Sequence, residues 1–178
     1  MITTQRLFWL LVLATGALYC VMLFWSLPRL AAMAGGLVPF DLRPLGYTPD
    51  EARALIRALG GEGKAFYLGS QHPLDTAFPA LLASTLFLAF RRVAPRGWAL
   101  APGLVALAGA MFDYLENFVV HLLLLAGTEE FSPQTAEWAS FFTVAKSAAN
   151  STAMTALAVM LALAAWRRWR NGWNEPGD

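Results

Sequence analysis

The chain has 178 residues, 57% of them hydrophobic and 14% charged, with a formal net charge of +1. Charged residues fall well below the roughly 25% of a soluble domain, and mean hydropathy is +0.49. The apolar excess excludes a disordered chain, and the near-neutral charge gives no footing for nucleic-acid binding. The single cysteine, Cys20, excludes an internal disulfide framework and a cysteine-built zinc site.

A helix of about 20 apolar residues crosses a bilayer core, because in lipid it must satisfy its own backbone groups. Four segments qualify: residues 7–27, which carry no charge; 73–90, with Asp75; 99–126, with Asp113 and Glu116; and 138–166, with Lys146. The second is short, but a helix beginning near Lys64 would lengthen it, bent by Pro73 and Pro79. The expected fold is therefore an all-α integral membrane protein, a single four-helix transmembrane bundle with one long loop, 28–72. Trp9, Trp25, Trp98, Trp138, Trp166, Trp169 and Trp173 fall at or just beyond the span ends, where indole rings prefer the headgroup level.

Basic residues set the orientation. Arg6, Arg91, Arg92, Arg96, Arg167, Arg168 and Arg170 share one side, whereas the short loop 127–137 opposite carries Glu129, Glu130 and Glu137 with no Lys or Arg. The long loop mixes both signs and weakens the bias without reversing it. Both termini and the tail 167–178 are thus expected in the cytoplasm, with the chain in the inner membrane. Ala32-Met33-Ala34 before Gly35 resembles a cleavage site, but Arg29 intervenes and the apolar run is long for a signal peptide. A retained first span is expected.

In the long loop, Gly35-Gly36, Pro39, Pro44 and Gly46 mark irregular chain. Thr48 then reads as an N-cap, with Pro49 in the first turn and Glu51 completing a capping box. Ala52, Leu55, Ile56 and Leu59 share one face of the following helix and Arg53 and Arg57 another, before Gly60-Gly61 ends it. Such a helix lies across the bundle mouth or at the interface, or covers a site beneath as a lid.

In the third span, Gly103, Ala106, Ala110, Asp113, Asn117 and Val120 recur at spacings of three and four, bordered by Glu116 and His121. In the fourth, Ala139, Thr143, Lys146, Asn150 and Ala153 form a matching stripe. Small residues let these faces approach closely. A rise of ~1.5 Å per residue brings Lys146 level with Glu116, and Asn150 with Asp113. Each charge at the bilayer centre costs about 2.5–3.5 kcal/mol on insertion scales, so one lysine leaves an acid protonated, wet or facing a cation. Asp113, Glu116 and Lys146 are the candidate catalytic groups, with Lys146 as counter-ion. Asp75, Asn117, Asn150 and His121 are the candidate ligand-binding groups. The bland alternative is a polar lock on helix register. His72 and His121 read as hydrogen-bonded interfacial histidines, so no metal and no cofactor is expected. Cys20 reads as a small packing residue. No Gly-rich phosphate loop with Lys, HExxH, GxSxG or CxxC motif is present.

In layout, with Asp75-Thr-Ala-Phe-Pro79 and Asp113-Tyr-Leu-Glu116-Asn117 as the matching segments, the chain is similar to the four-helix sterol-isomerase and sigma-2-receptor superfamily. That resemblance implies four spans, a long first luminal loop and acids facing a central cavity; the superfamily's aromatic-rich fourth span has no counterpart here. The expected function is binding of a small amphipathic or lipid-like molecule, with acid–base chemistry in the isomerase-like version. A proton- or cation-coupled transporter is the first alternative, and a structural subunit of a membrane complex the second. The expected partners are the bilayer and that ligand, with a homodimer or larger complex left open.

Overall fold

Proline places the first irregularity in the chain. The first helix of the computed structural model, α1, runs Thr4–Met33, and its hydrogen bonding widens to a π-turn over Met22–Ser26. Pro28 follows two residues later and has no N–H to return to the preceding turn, which favours such a local widening. The same pairing recurs where the π-turn Tyr67–Gln71 precedes Pro73. The structure describes residues 3–95 and 97–172; Arg96, Trp173 and the side chains of Glu129 and Glu130 lie outside the described residues.

Beyond α1 the chain is irregular to Thr48 except for a short 3-10 turn, Phe40–Leu42. Helix α2, Pro49–Phe66, starts with the expected capping box, the Thr48 hydroxyl accepting from the Glu51 N–H and the Glu51 carboxylate accepting from the Thr48 N–H. Its apolar face, Ala52, Leu55, Ile56 and Leu59, is buried. The helical run breaks at the glycine pair, as expected, but a second helical stretch follows without an intervening loop. Gly60 takes φ 59° and ψ −159°, a kink, and helical structure resumes at once through the π-turn into α3, His72–Val93. One Gly in the left-handed region reorients the axis, while the second continues the helix. The second long helical segment thus reaches from Pro49 to Val93, well beyond the span the hydropathy pattern suggested.

Helices α4, Leu100–Glu130 with a kink at Gly127, and α5, Pro133–Gly172, complete an arrangement that is all-helical among the described residues. Four helices are long and apolar enough to cross a membrane. α1 packs on α3, α3 on α4, and α4 on α5. The small residues of α4 make these approaches possible. A Cβ at Gly103 would stand 2.8 Å from the Phe87 ring, and one at Gly109 would meet the Asn150 side chain.

Two apolar clusters stack along the bundle. One, at the α2 end, includes Leu30, Phe40, Leu55, Ile56, Tyr67, Leu123 and Leu124. The other, toward the opposite end, is built on Leu86, Phe90, Ala106 and Ala153. A polar layer separates them. The outer surface is apolar instead: Trp9, Trp25, Trp98, Trp138, Trp166 and Trp169 are all exposed.

Candidate functional site

The polar layer is organised around Lys146 on α5. Its Nζ donates to Asp113 Oδ1 at 3.0 Å, pairs with Glu116 Oε2, and lies 3.9 Å from Asp41 Oδ1. The two α4 acids stand one turn apart on the buried stripe, so both reach one ammonium from the facing helix. Glu116 is further held by the Thr143 hydroxyl, which donates to Oε1 at 2.7 Å. The side chains of Asp113 and Glu116 are 5% and 1% exposed, leaving them with Lys146 rather than solvent.

Asp41 is the residue that pattern reading missed. It has no helical periodicity to place it, because it sits in the 3-10 turn of the irregular segment. The Tyr67 hydroxyl donates to Asp41 Oδ2 at 2.9 Å and the Gln71 side-chain amide at 3.4 Å. The Ser26 hydroxyl donates to Gln71 Oε1 at 2.6 Å. The two π-turns therefore meet at the Ser26–Gln71 bond and present Gln71 to Asp41, in keeping with the frequent use of such turns at functional sites. The signal available in the sequence was one acid embedded in an apolar run, Leu37-Val38-Pro39-Phe40-Asp41-Leu42. Close by, burial and the neighbouring Glu116 push the Tyr47 hydroxyl well above its ordinary value, so it stays a neutral phenol.

Asp75 is the other acid of the layer. It is 2% exposed, and its Oδ2 is buried with no hydrogen-bond partner among the described residues. Asp41 acts on it both as a charge and through a side-chain hydrogen bond between the two carboxyl groups, and Lys146 acts on it as a charge. Four carboxyl groups thus face one ammonium.

A cavity of about 520 Å³ adjoins this layer, bounded on one side by Asp41, Asp75, Asp113 and Lys146. Tyr19, Phe78, Leu82 and Met154 supply its apolar walls, and Leu42 and Pro44 also line it. It occupies the gap between α1, which contributes Thr15 and Gly16, and α5, which contributes Ser147, Asn150 and Ser151. Because α1 leans on α3 and α5 on α4, that gap is not closed by helix packing.

Of the sequence candidates, Asp75, Asp113, Lys146 and Asn150 come together at this cavity. Glu116 lies behind it, on Lys146 and Thr143. Asn117 joins helices, its side-chain amide donating to the Asp75 carbonyl at 3.2 Å while its own carbonyl lies 3.3 Å from His72 Nε2. His121 packs against His72 with ring centroids 5.0 Å apart, outside the cavity lining. No group of three or more His, Cys, Asp or Glu side chains is arranged to hold a metal ion among the described residues.

No protein-family model matches the chain, and neither a curated protein nor a solved structure does. Any account of function therefore rests on the cavity and its charges.

Proposed function

We propose that this is a four-span inner-membrane protein, both termini cytoplasmic, whose cavity binds a small amphipathic or lipid-like molecule. The observation that carries the reading is the Asp75 carboxyl group, buried beside a cavity with apolar walls, with Asp41 as its side-chain neighbour and no hydrogen-bond donor on its Oδ2. A buried acceptor without a partner costs roughly 1–3 kcal/mol, and more when charged. A ligand whose polar end donates a hydrogen bond removes that cost while its apolar body lies along Tyr19, Phe78, Leu82 and Met154. The gap between α1 and α5 gives such a molecule access from the surrounding lipid.

The division of labour follows from the hydrogen bonds. Lys146 occupies Asp113 Oδ1 and Glu116 Oε2, so these acids hold the counter-ion in place. Asp75 is the cavity carboxyl group that Lys146 does not directly bond, and in the acid–base version of the function it is the one placed to exchange a proton with the ligand. Asn150, beside Asp113 in the lining, supplies an orienting amide. The apolar packing of Leu86, Phe90, Ala106 and Ala153 toward the cytoplasmic end favours a binding pocket over a path across the membrane.

The test is native mass spectrometry of the detergent-purified protein, with lipid extraction and identification of any co-purifying mass. A discrete adduct on the parental chain, lost in Asp75→Asn, is expected. Gly16→Leu is the companion variant: Gly16 lines the cavity and a Cβ there meets nothing within 4 Å, so a larger side chain can start into that space without a clash at its first atom. An adduct unaffected by either substitution would place the ligand elsewhere and end this reading.

A further inference from the structure

The segment between Gly36 and Gly46 has an inside and an outside of different kinds. Pro39 and Phe40 are fully buried, with Phe40 against the Tyr47 and Tyr67 rings. Asp41 points inward to Lys146 and Tyr67. Outward it presents Leu37, Val38, Leu42 and Leu45, the last 93% exposed. The one cation there, Arg43, is folded back: its Nε donates to the Val38 carbonyl at 2.9 Å, and its guanidinium lies near Glu51 and over the Tyr47 ring. The adjoining helix α2 is the opposite case, with exposed Glu51, Arg57 and Glu62 on its outer side. Two neighbouring stretches of the same connection therefore present opposite surfaces, one apolar and one charged.

Depth agrees with this division. The Tyr47 N–H donates to the Ser140 hydroxyl at 2.8 Å, and Asp41 lies against Lys146. Measured along α5 from Trp138, Ser140 is ~3 Å and Lys146 ~12 Å toward the bundle centre at 1.5 Å per residue. From Trp138 to Trp166 the same helix spans ~42 Å, which matches the ~40–45 Å of a bilayer with its headgroups. With the two tryptophans at the two interfaces, the segment descends from headgroup level into the acyl region. Irregular backbone is tolerated at that depth only when protein satisfies it, and here the Arg43 side chain bonds the Val38 carbonyl, the Leu42 and Arg43 N–H groups return to Pro39 and Phe40, and Phe40 is buried.

From these observations we infer that residues 37–45 form a re-entrant wedge, seated with its leucines among the acyl chains of the leaflet at the α2 end. Its partner is the lipid surface, and its depth carries Asp41 to Lys146 and sets Leu42 and Pro44 in the lining of the cavity. The inference rests on the membrane reading of the chain but not on the cavity having a ligand.

Nitroxide accessibility in liposomes of phosphatidylcholine and phosphatidylglycerol tests it. The background is Cys20→Ser, since Cys20 is exposed, and the labelled variants are L45C, L42C, L13C on the exposed face of α1 and E62C on α2. Leu45 has almost no packing to lose, so L45C folds as the parent does. Oxygen accessibility is expected to exceed nickel-chelate accessibility at L45C, L42C and L13C, with the order reversed at E62C. Nickel-chelate accessibility at L45C and L42C equal to that at E62C, with L13C still lipidic, would overturn the wedge. Nickel access at L13C as well would overturn the membrane reading and the wedge with it.

Discussion

Lys146→Met is the most informative single perturbation of the polar layer. Methionine keeps most of the volume and the unbranched stem, so the change is chiefly the loss of the ammonium. That ammonium touches Asp113 and Glu116 directly and lies 3.9 Å from Asp41, whose side chain is 8% exposed. Removing one member of a buried pair leaves uncompensated charge and costs about 3–5 kcal/mol, and here two acids lose their direct partner, which puts the expected loss at or above the upper end of that range. The control is Asp75→Asn, which replaces a carboxyl group in a site where four acids face one lysine and where Lys146 makes no direct bond to it, while an amide can still hydrogen-bond Asp41. Its effect on stability is expected within about 1 kcal/mol of zero, of either sign, because one side-chain carboxylate is exchanged for an isosteric amide in a crowded acidic site. Tryptophan fluorescence during denaturation of the ligand-free protein in detergent micelles reads both. Triple substitution Lys146→Met/Asp113→Asn/Glu116→Gln removes the charges together and is expected to recover much of the loss, since a neutral layer has no ion to strand. A Lys146→Met protein as stable as the parent, or an Asp75→Asn protein destabilised as much as Lys146→Met, would refute the assignment of Lys146 as the hub.

Gly109→Ala is expected to force α4 and α5 apart or swing Asn150 away, at a cost of about 1–3 kcal/mol for overpacking in a close contact; the same unfolding assay checks it. At Gly46, φ is +86° and an added Cβ would lie 2.6 Å from the Ser140 hydroxyl, so Gly46→Ala is expected to undock the 37–45 segment. Limited proteolysis between α1 and α2 should then cleave the variant faster than the parent, and equal rates would show that the segment does not depend on this approach.

Much of the architecture follows from local rules. Hydropathy located the four helices because a long apolar run that crosses a bilayer has few alternatives to a helix. The capping box at Thr48–Glu51 and the buried face Ala52, Leu55, Ile56 and Leu59 were readable because both are set within one or two turns of chain. The meeting of Lys146 with Glu116 followed from helix rise and antiparallel neighbours alone. Gly60 marks where such rules stop: the glycine pair breaks the helix as read, but that a second helical stretch follows at once, joined across a kink, was not written in the pair itself.

Tertiary structure decided the rest of the site. Asp41 lies 72 residues from Asp113 in sequence and in irregular chain; no period relates them, and only the docking of Phe40 and Tyr47 brings its carboxylate to Lys146. Asn117 shares a stripe with Asp113, yet its amide is spent on the α3 backbone rather than in the cavity. The cavity itself is a property of how α1 leans on α3 and α5 on α4, which composition and periodicity do not encode. The sequence by itself determined which faces are buried, because periodicity acts within a helix; which buried charges meet, and which acid Lys146 does not reach, depends on contacts between helices and on a loop whose path only the folded bundle defines.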